Sequence, residues 1–74
     1  MATKKVSLTI DEQIGFSAGE IYEYLQANGM TSFSKMKKDL DLKSNFAELG
    51  LGWLARENKV DIVQKGPAVK VSLR

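Results

Sequence analysis

Seventy-four residues with a formal charge of only +2 make one domain, near the size at which a single core is marginally stabilising because so much surface stays exposed. The absence of both cysteine and histidine excludes disulfide staples and the usual zinc ligands. It also removes the most reactive nucleophile and the commonest general base, which argues against an enzyme and leaves no cofactor or metal to expect. Lys4 and Lys5 are followed by Asp11 and Glu12 before a signal-length apolar run accumulates, and no stretch reaches a membrane span, so the expectation is a soluble, cytoplasmic chain.

Residues 1–8 read as a flexible arm or a short strand. Thr9 and Glu12 form a capping-box spacing that opens a helix, and Ile14, Ala18, Ile21, Tyr22 and Leu25 then recur at helical intervals. Gly29 supplies the left-handed residue that closes it. Ser17 and Glu20 repeat the capping spacing inside this stretch, so the reading is one helix over 10–28 with a weak spot at Gly15 or Phe16. Gly15 and Gly19 are expected to admit a neighbouring element closely, and of Tyr22 and Tyr24 one is expected in the core and the other at a rim. Thr31 and Ser32 are a link. A short second helix begins at Ser32 or Ser34, turns Phe33, Met36 and Leu40 inward, and ends near Leu40.

Leu42 is an apolar plug in the following turn, and Ser44 or Asn45 caps a third helix that runs to about Asn58, with Asn45 and Glu48 at capping-box spacing. "KVDIVQ" and "AVKVSLR" alternate with period two around Lys65-Gly66-Pro67 and make a β-hairpin. Val60, Ile62, Val69, Val71 and Leu73 should face the helices, with Asp61, Lys70, Ser72 and Arg74 outward.

Three helices and then a hairpin, with a few-residue turn between the second and third helices, is the order of a winged helix-turn-helix, an α+β fold. It is read as one domain over residues 1–74. "AGEIYEYLQANG", "GLGWLAREN" with "KV" after it, and the closing "VKVSL" resemble the small single-domain winged helix-turn-helix proteins of unknown function found in bacteria and archaea, from about Ile14 to Leu73. The resemblance implies that fold and a DNA-binding ancestry. It brings no established activity to assign to individual residues.

On the third helix, at about 100° per residue, Phe46, Ala47, Leu49, Gly50, Leu51, Trp53 and Leu54 cover an arc of roughly 200°, where a surface helix needs an apolar stripe somewhat wider than 100°. Ala47, Leu51 and Leu54 are the expected core stripe. Phe46, Leu49 and Trp53 form an adjoining one, to be covered by the hairpin and the N-terminal arm or to serve as a homodimer seam. Gly50 and Gly52 lower helix propensity and so suggest close packing, Gly52 against a partner.

The remaining arc holds Ser44, Asn45, Glu48, Gly52, Ala55 and Arg56. Asn45 and Arg56 are residue types that read bases, yet they serve equally as a cap and as a base on the helix dipole, and Glu48 between them opposes a phosphate field. The candidate DNA contacts are therefore Lys35, Lys38, Lys43, Ser44, Asn45, Arg56 and the hairpin's Lys65, with Lys37 and Lys70 also in reach of phosphates. Two functions remain open. One is a DNA-binding, transcription-regulator-like module that uses lysine–phosphate contacts with limited base readout; the other is a protein-interaction or homodimerisation module on the same scaffold.

Overall fold

A computed structural model describes residues 9–42 and 45–74. The expected arm or strand over 1–8, and Lys43 and Ser44, lie outside the described residues. In chain order the elements are α1 (Ile10–Asn28), β1 (Thr31–Ser32), α2 (Phe33–Leu40), α3 (Phe46–Arg56), β2 (Val60–Lys65) and β3 (Ala68–Leu73).

The capping box at the start of α1 is complete: the Glu12 N–H donates to Thr9 Oγ1 at 3.1 Å, and the Thr9 N–H donates to Glu12 Oε1 at 2.9 Å. The helix then runs unbroken through Gly15 and Phe16, and Ser17 is buried within it rather than starting a second helix. The Gly29 N–H closes it on the Leu25 carbonyl at 2.8 Å. Gly29 has the expected positive φ of 75° but an extended ψ of −160°, a region that is essentially glycine-only. From there the chain leaves the helix directly into an extended segment. Thr31 and Ser32, expected as a plain link, form β1, which pairs antiparallel with β3 (Thr31 with Val71, Ser32 with Lys70). The sheet order is β1-β3-β2, so β3 is the centre.

Ser32 also caps α2, its hydroxyl accepting from the Lys35 N–H at 3.2 Å. The helix ends at Asp41, whose left-handed backbone (φ 51°, ψ 43°) sends its N–H back to the carbonyls of Lys37 and Lys38. Leu42 packs on the core from this turn, as the plug reading expects. Asn45 occupies the N-cap position of α3 but makes no side-chain cap bond. The expected Asn45–Glu48 box does not form: Asn45 has φ −101° and ψ 17° rather than the extended backbone of a cap, and the Glu48 carboxylate accepts from Lys37.

At the other end α3 stops at Arg56, two residues before the expected limit. Asn58 takes a φ of 62°, and its N–H donates to the Ala55 carbonyl at 3.1 Å. A two-residue loop joins Lys65 to its partner Ala68. Its Gly66 has φ 58° and Pro67 is confined to negative φ, the sign pattern of a II′ hairpin turn.

The core is one cluster of Ala18, Ile21 and Leu25 from α1, Met36 from α2, Leu51 and Leu54 from α3, and Val60 and Val71 from the hairpin base. Ala47 is also fully buried. Gly50 sets how closely α3 approaches α1: a Cβ there would lie 2.9 Å from the Ala18 backbone nitrogen and 3.1 Å from the Ser17 carbonyl carbon. Gly52 has open space around it, as do Gly15 and Gly19. The close approach expected at Gly15 and Gly19 therefore does not occur among the described residues, and that at Gly52 was expected from a partner.

Candidate nucleic-acid interface

Charge is segregated along the chain. The α1 sequence holds four acids, Asp11, Glu12, Glu20 and Glu23, and no base, whereas residues 33–74 hold nine bases against five acids. Most of that base sits on α2, the end of α3 and the hairpin, the elements that bring a helix-turn-helix and its hairpin to a duplex.

The three α2 lysines are not equivalent. Lys35 Nζ donates to Asp39 Oδ2 at 2.7 Å, one helical turn on, and the Tyr24 hydroxyl donates to the same oxygen at 2.7 Å. These two donors hold the Asp39 carboxyl below its ordinary value, Lys35 contributing most, and the Asp39 carboxylate in turn raises Lys35. Lys37 Nζ reaches across the α2–α3 turn to Glu48 Oε2 at 3.0 Å, and this bond is the main reason the Glu48 carboxyl is lowered. Lys38 is exposed and feels Asp39 only through space.

Of the other candidates, Asn45 is exposed on the first turn of α3, where its carbonyl accepts from the Leu49 N–H at 2.9 Å. Arg56 is exposed at the last turn of α3, and Lys65 is exposed beside the hairpin loop. Thus Lys38, Arg56, Lys65 and Lys70 keep charged ends free of hydrogen bonds and ion pairs to described residues, and Lys35 and Lys37 are already committed. The i,i+4 spacing of Lys35 and Asp39 was visible in the sequence. The Tyr24 and Glu48 contacts were not, since they join elements 15 and 11 residues apart.

The cleft between α3 and the hairpin, of about 290 Å³, is lined by Phe33, Glu48, Leu51, Gly52, Ile62 and Val69. Its wall is apolar with a single carboxylate, which offers almost no donors to base edges. Ile62, expected against the helices, is 43% exposed here, on a wall that also includes Gly52.

On the other flank of α3, Leu49 and Trp53 remain 44% and 45% exposed, and Phe46 is half-buried. The hairpin does not cover them. Trp53 forms one wall of a groove of about 300 Å³ whose other wall is Gly15, Gly19 and Tyr22 of α1. Tyr22 and Tyr24 are both half-buried against the core rather than one in and one out. Lys59 Nζ lies 5.9 Å from the Tyr22 ring centroid, within cation–π range. Among the described residues no cluster of side chains suits a metal ion, and no helix is long and apolar enough to cross a membrane.

A helix–turn–helix pair backed by a long first helix and flanked by a β-hairpin on a three-stranded sheet defines a winged helix-turn-helix domain, a non-enzymatic class of module. Residues 9–73 match the family model described as a winged helix-turn-helix domain (DUF2582), and the chain belongs to that family. An uncharacterized protein of Methanocaldococcus jannaschii is 38% identical over 55 residues, covering 70% of this chain and 77% of the relative. A Bacteroides thetaiotaomicron protein solved in solution by NMR superposes with a TM-score of 0.76 at 28% identity, covering 88% of this chain and 79% of its own.

Proposed function

We propose that the domain binds the sugar–phosphate backbone of duplex DNA with little discrimination among bases. The observation that carries this reading is the charge segregation: α1 is purely acidic, and the uncommitted cations Lys38, Arg56, Lys65 and Lys70 lie on the helix-turn-helix and the wing. Lysine–phosphate contacts position a protein on a duplex and displace condensed counterions, and they carry no sequence information. Base readout would fall to Asn45 and Arg56 at the ends of α3, with Ser44 next to Asn45 in sequence, since Glu48, Gly52 and Ile62 occupy the middle of the reading surface. In sequence, Lys43 extends the basic run that begins at Lys35. A regulator of transcription with this surface would act by occupancy more than by fine sequence selection.

Fluorescence polarisation with a labelled random duplex tests the reading. Binding at low salt should weaken linearly on a log–log plot with a slope near 0.9 per phosphate neutralised, and each change among Lys38→Glu, Arg56→Glu and Lys65→Glu should reduce that slope by about one. Absence of binding at 20–50 mM salt, a range in which backbone contacts are at their strongest, would remove the proposal.

A second reading is favoured by one observation, the exposure of Leu49 and Trp53 side by side on α3. Phe46, Leu49 and Trp53 would then dock a second copy or another protein, with Trp53 as the aromatic anchor. Dilution of a dimer built on this seam should change Trp53 fluorescence together with the sedimentation mass; a constant mass and an unchanged spectrum would rule out the homodimer.

A further inference from the structure

The outer face of the wing holds a pocket whose apolar lining neither reading uses. In the β2–β3 register Val63 lies opposite Lys70 and Lys65 opposite Ala68, and directly opposed residues share a sheet face. These four positions therefore alternate apolar and basic on the side turned away from Val60, Ile62 and Val71. Met30, from the bend after α1, joins them to line a space of about 410 Å³. Its apolar lining is Met30, Val63 and Ala68 and its basic lining is Lys65 and Lys70, neither of which pairs with a carboxylate among the described residues. Val63 is 46% exposed.

The complementary shape lies on α1. Phe16 is 63% exposed, and Gly19, one turn further on, has no side chain to shield it. Glu12 and Glu20 stand four residues before and after Phe16, and Glu23 stands seven after it, so all three carboxylates share its helix face. Glu20 and Glu23 have no hydrogen-bonded or ion-paired partner among the described residues. Phe16 is an apolar knob ringed by acid, and the wing carries an apolar hole with base beside it.

We infer that Phe16 of one copy of this chain inserts into the Met30–Val63–Ala68 pocket of a second copy, with Glu12, Glu20 and Glu23 facing Lys65 and Lys70. A DNA backbone would satisfy the two lysines but has no apolar group for the apolar lining; the acid-ringed phenylalanine supplies both. The contact is heterologous, because knob and hole are different surfaces, so each copy keeps one of each free and association propagates unless a ring closes. It is a small contact of the weak, transient kind. It uses wing lysines that the proposed duplex contact also uses, so a bound copy and a bound duplex compete. It does not depend on that DNA reading, and it does not involve Trp53.

Sedimentation of wild type, Phe16→Ser and Val63→Glu up to about 1 mM, high enough to populate an association whose Kd is itself about 1 mM, tests the inference. Both substitutions are at exposed positions, and circular dichroism checks that each variant is folded. Wild type should gain mass with concentration. Phe16→Ser, which lacks the knob, and Val63→Glu, which lacks the hole, should each associate at least about tenfold more weakly. Their equimolar mixture should form a species of two chains that stops there, because only one productive knob and one productive hole meet. A wild type that stays monomeric, a variant that associates as wild type does, or a mixture that stays monomeric while wild type associates would each overturn it. Weakened duplex binding by Val63→Glu alongside a monomeric wild type would overturn it too, and would give the pocket to nucleic acid.

Discussion

The α1–α3 seam and the outer half of the wing are both rich in apolar residues, yet only the first is closed. At the seam a glycine lets backbone approach backbone, and Ala18, Ile21, Ala47, Leu51 and Leu54 leave the solvent almost entirely. Along the wing Val60 and Val71 are buried at its base, whereas Ile62 and Val63 stay more than two-fifths exposed. Strand alternation decides which way a side chain points, but what lies over it decides whether it is buried. In this molecule stability is concentrated at the seam, and the surfaces available for binding are on the wing and the flanks of α3.

Substitutions within each region sharpen that contrast. Met36→Ala, at a position with no exposed surface, should cost about 2–5 kcal/mol in urea unfolding, through lost burial and a residual cavity. Gly50→Ala gains helix propensity, but its Cβ meets fixed backbone at 2.9 Å; the net loss should be about 1–3 kcal/mol. A neutral Gly50→Ala would mean that the seam is looser than its geometry. Within the hairpin, Val71→Ala should cost about 2 kcal/mol and Val63→Ala less than about 0.5 kcal/mol. Equal losses at the two valines would erase the distinction between base and tip. Gly52→Ala, in open space on α3, should instead stabilise by about 0.5–1 kcal/mol, the opposite sign to Gly50 two residues away.

The smallest expected effect is the pH dependence. Glu12, Asp39 and Glu48 have carboxyl groups lowered from ordinary values of 4.5, 3.8 and 4.5 respectively, by the Thr9 backbone N–H, Lys35 and Lys37. A carboxyl that is more acidic folded than unfolded contributes stability above its unfolded pKa, and that contribution is lost as pH falls through the folded value. The melting temperature should therefore hold steady from pH 7 to about 5 and decline below about 4.5, with a shallower decline in Glu12→Gln. Lys35, raised from 10.5, runs the other way and loses its contribution only as strong alkali is reached. All of these groups are largely exposed, so added salt should flatten both limbs.

Much of this architecture was legible in local spacing. Thr9 with Glu12, the Gly29 stop, Ser32 as a cap and the alternation around Gly66-Pro67 each express backbone chemistry within a few residues, and α1 and the hairpin fall where those signals put them. The strand at Thr31–Ser32 was not legible, because two residues carry no periodicity and become a strand only by meeting Val71 and Lys70 some 40 residues later. The capping box expected of Asn45 and Glu48 was not formed either: Asn45 lacks the extended backbone of a cap, and Glu48 is paired with Lys37 eleven residues earlier in the chain. Among the candidate contacts, residue types and element positions could be read in advance. Which lysines are free and which are engaged depends on Tyr24, Asp39 and Glu48, whose approach is a property of the folded chain.

If the domain meets a polyanion as proposed, the Lys37–Glu48 bond across the α2–α3 turn has a further meaning. Glu48 is an anion that Lys37 carries with it, tethered where a dissolved ion would diffuse away. Were phosphate to draw Lys37 off, that anion would stay behind at the surface and push back, so one cation on α2 would be worth less to a complex than its charge suggests. Replacing Glu48 with glutamine removes the tethered ion, and the salt dependence of duplex binding should then steepen as Lys37 joins the exchange.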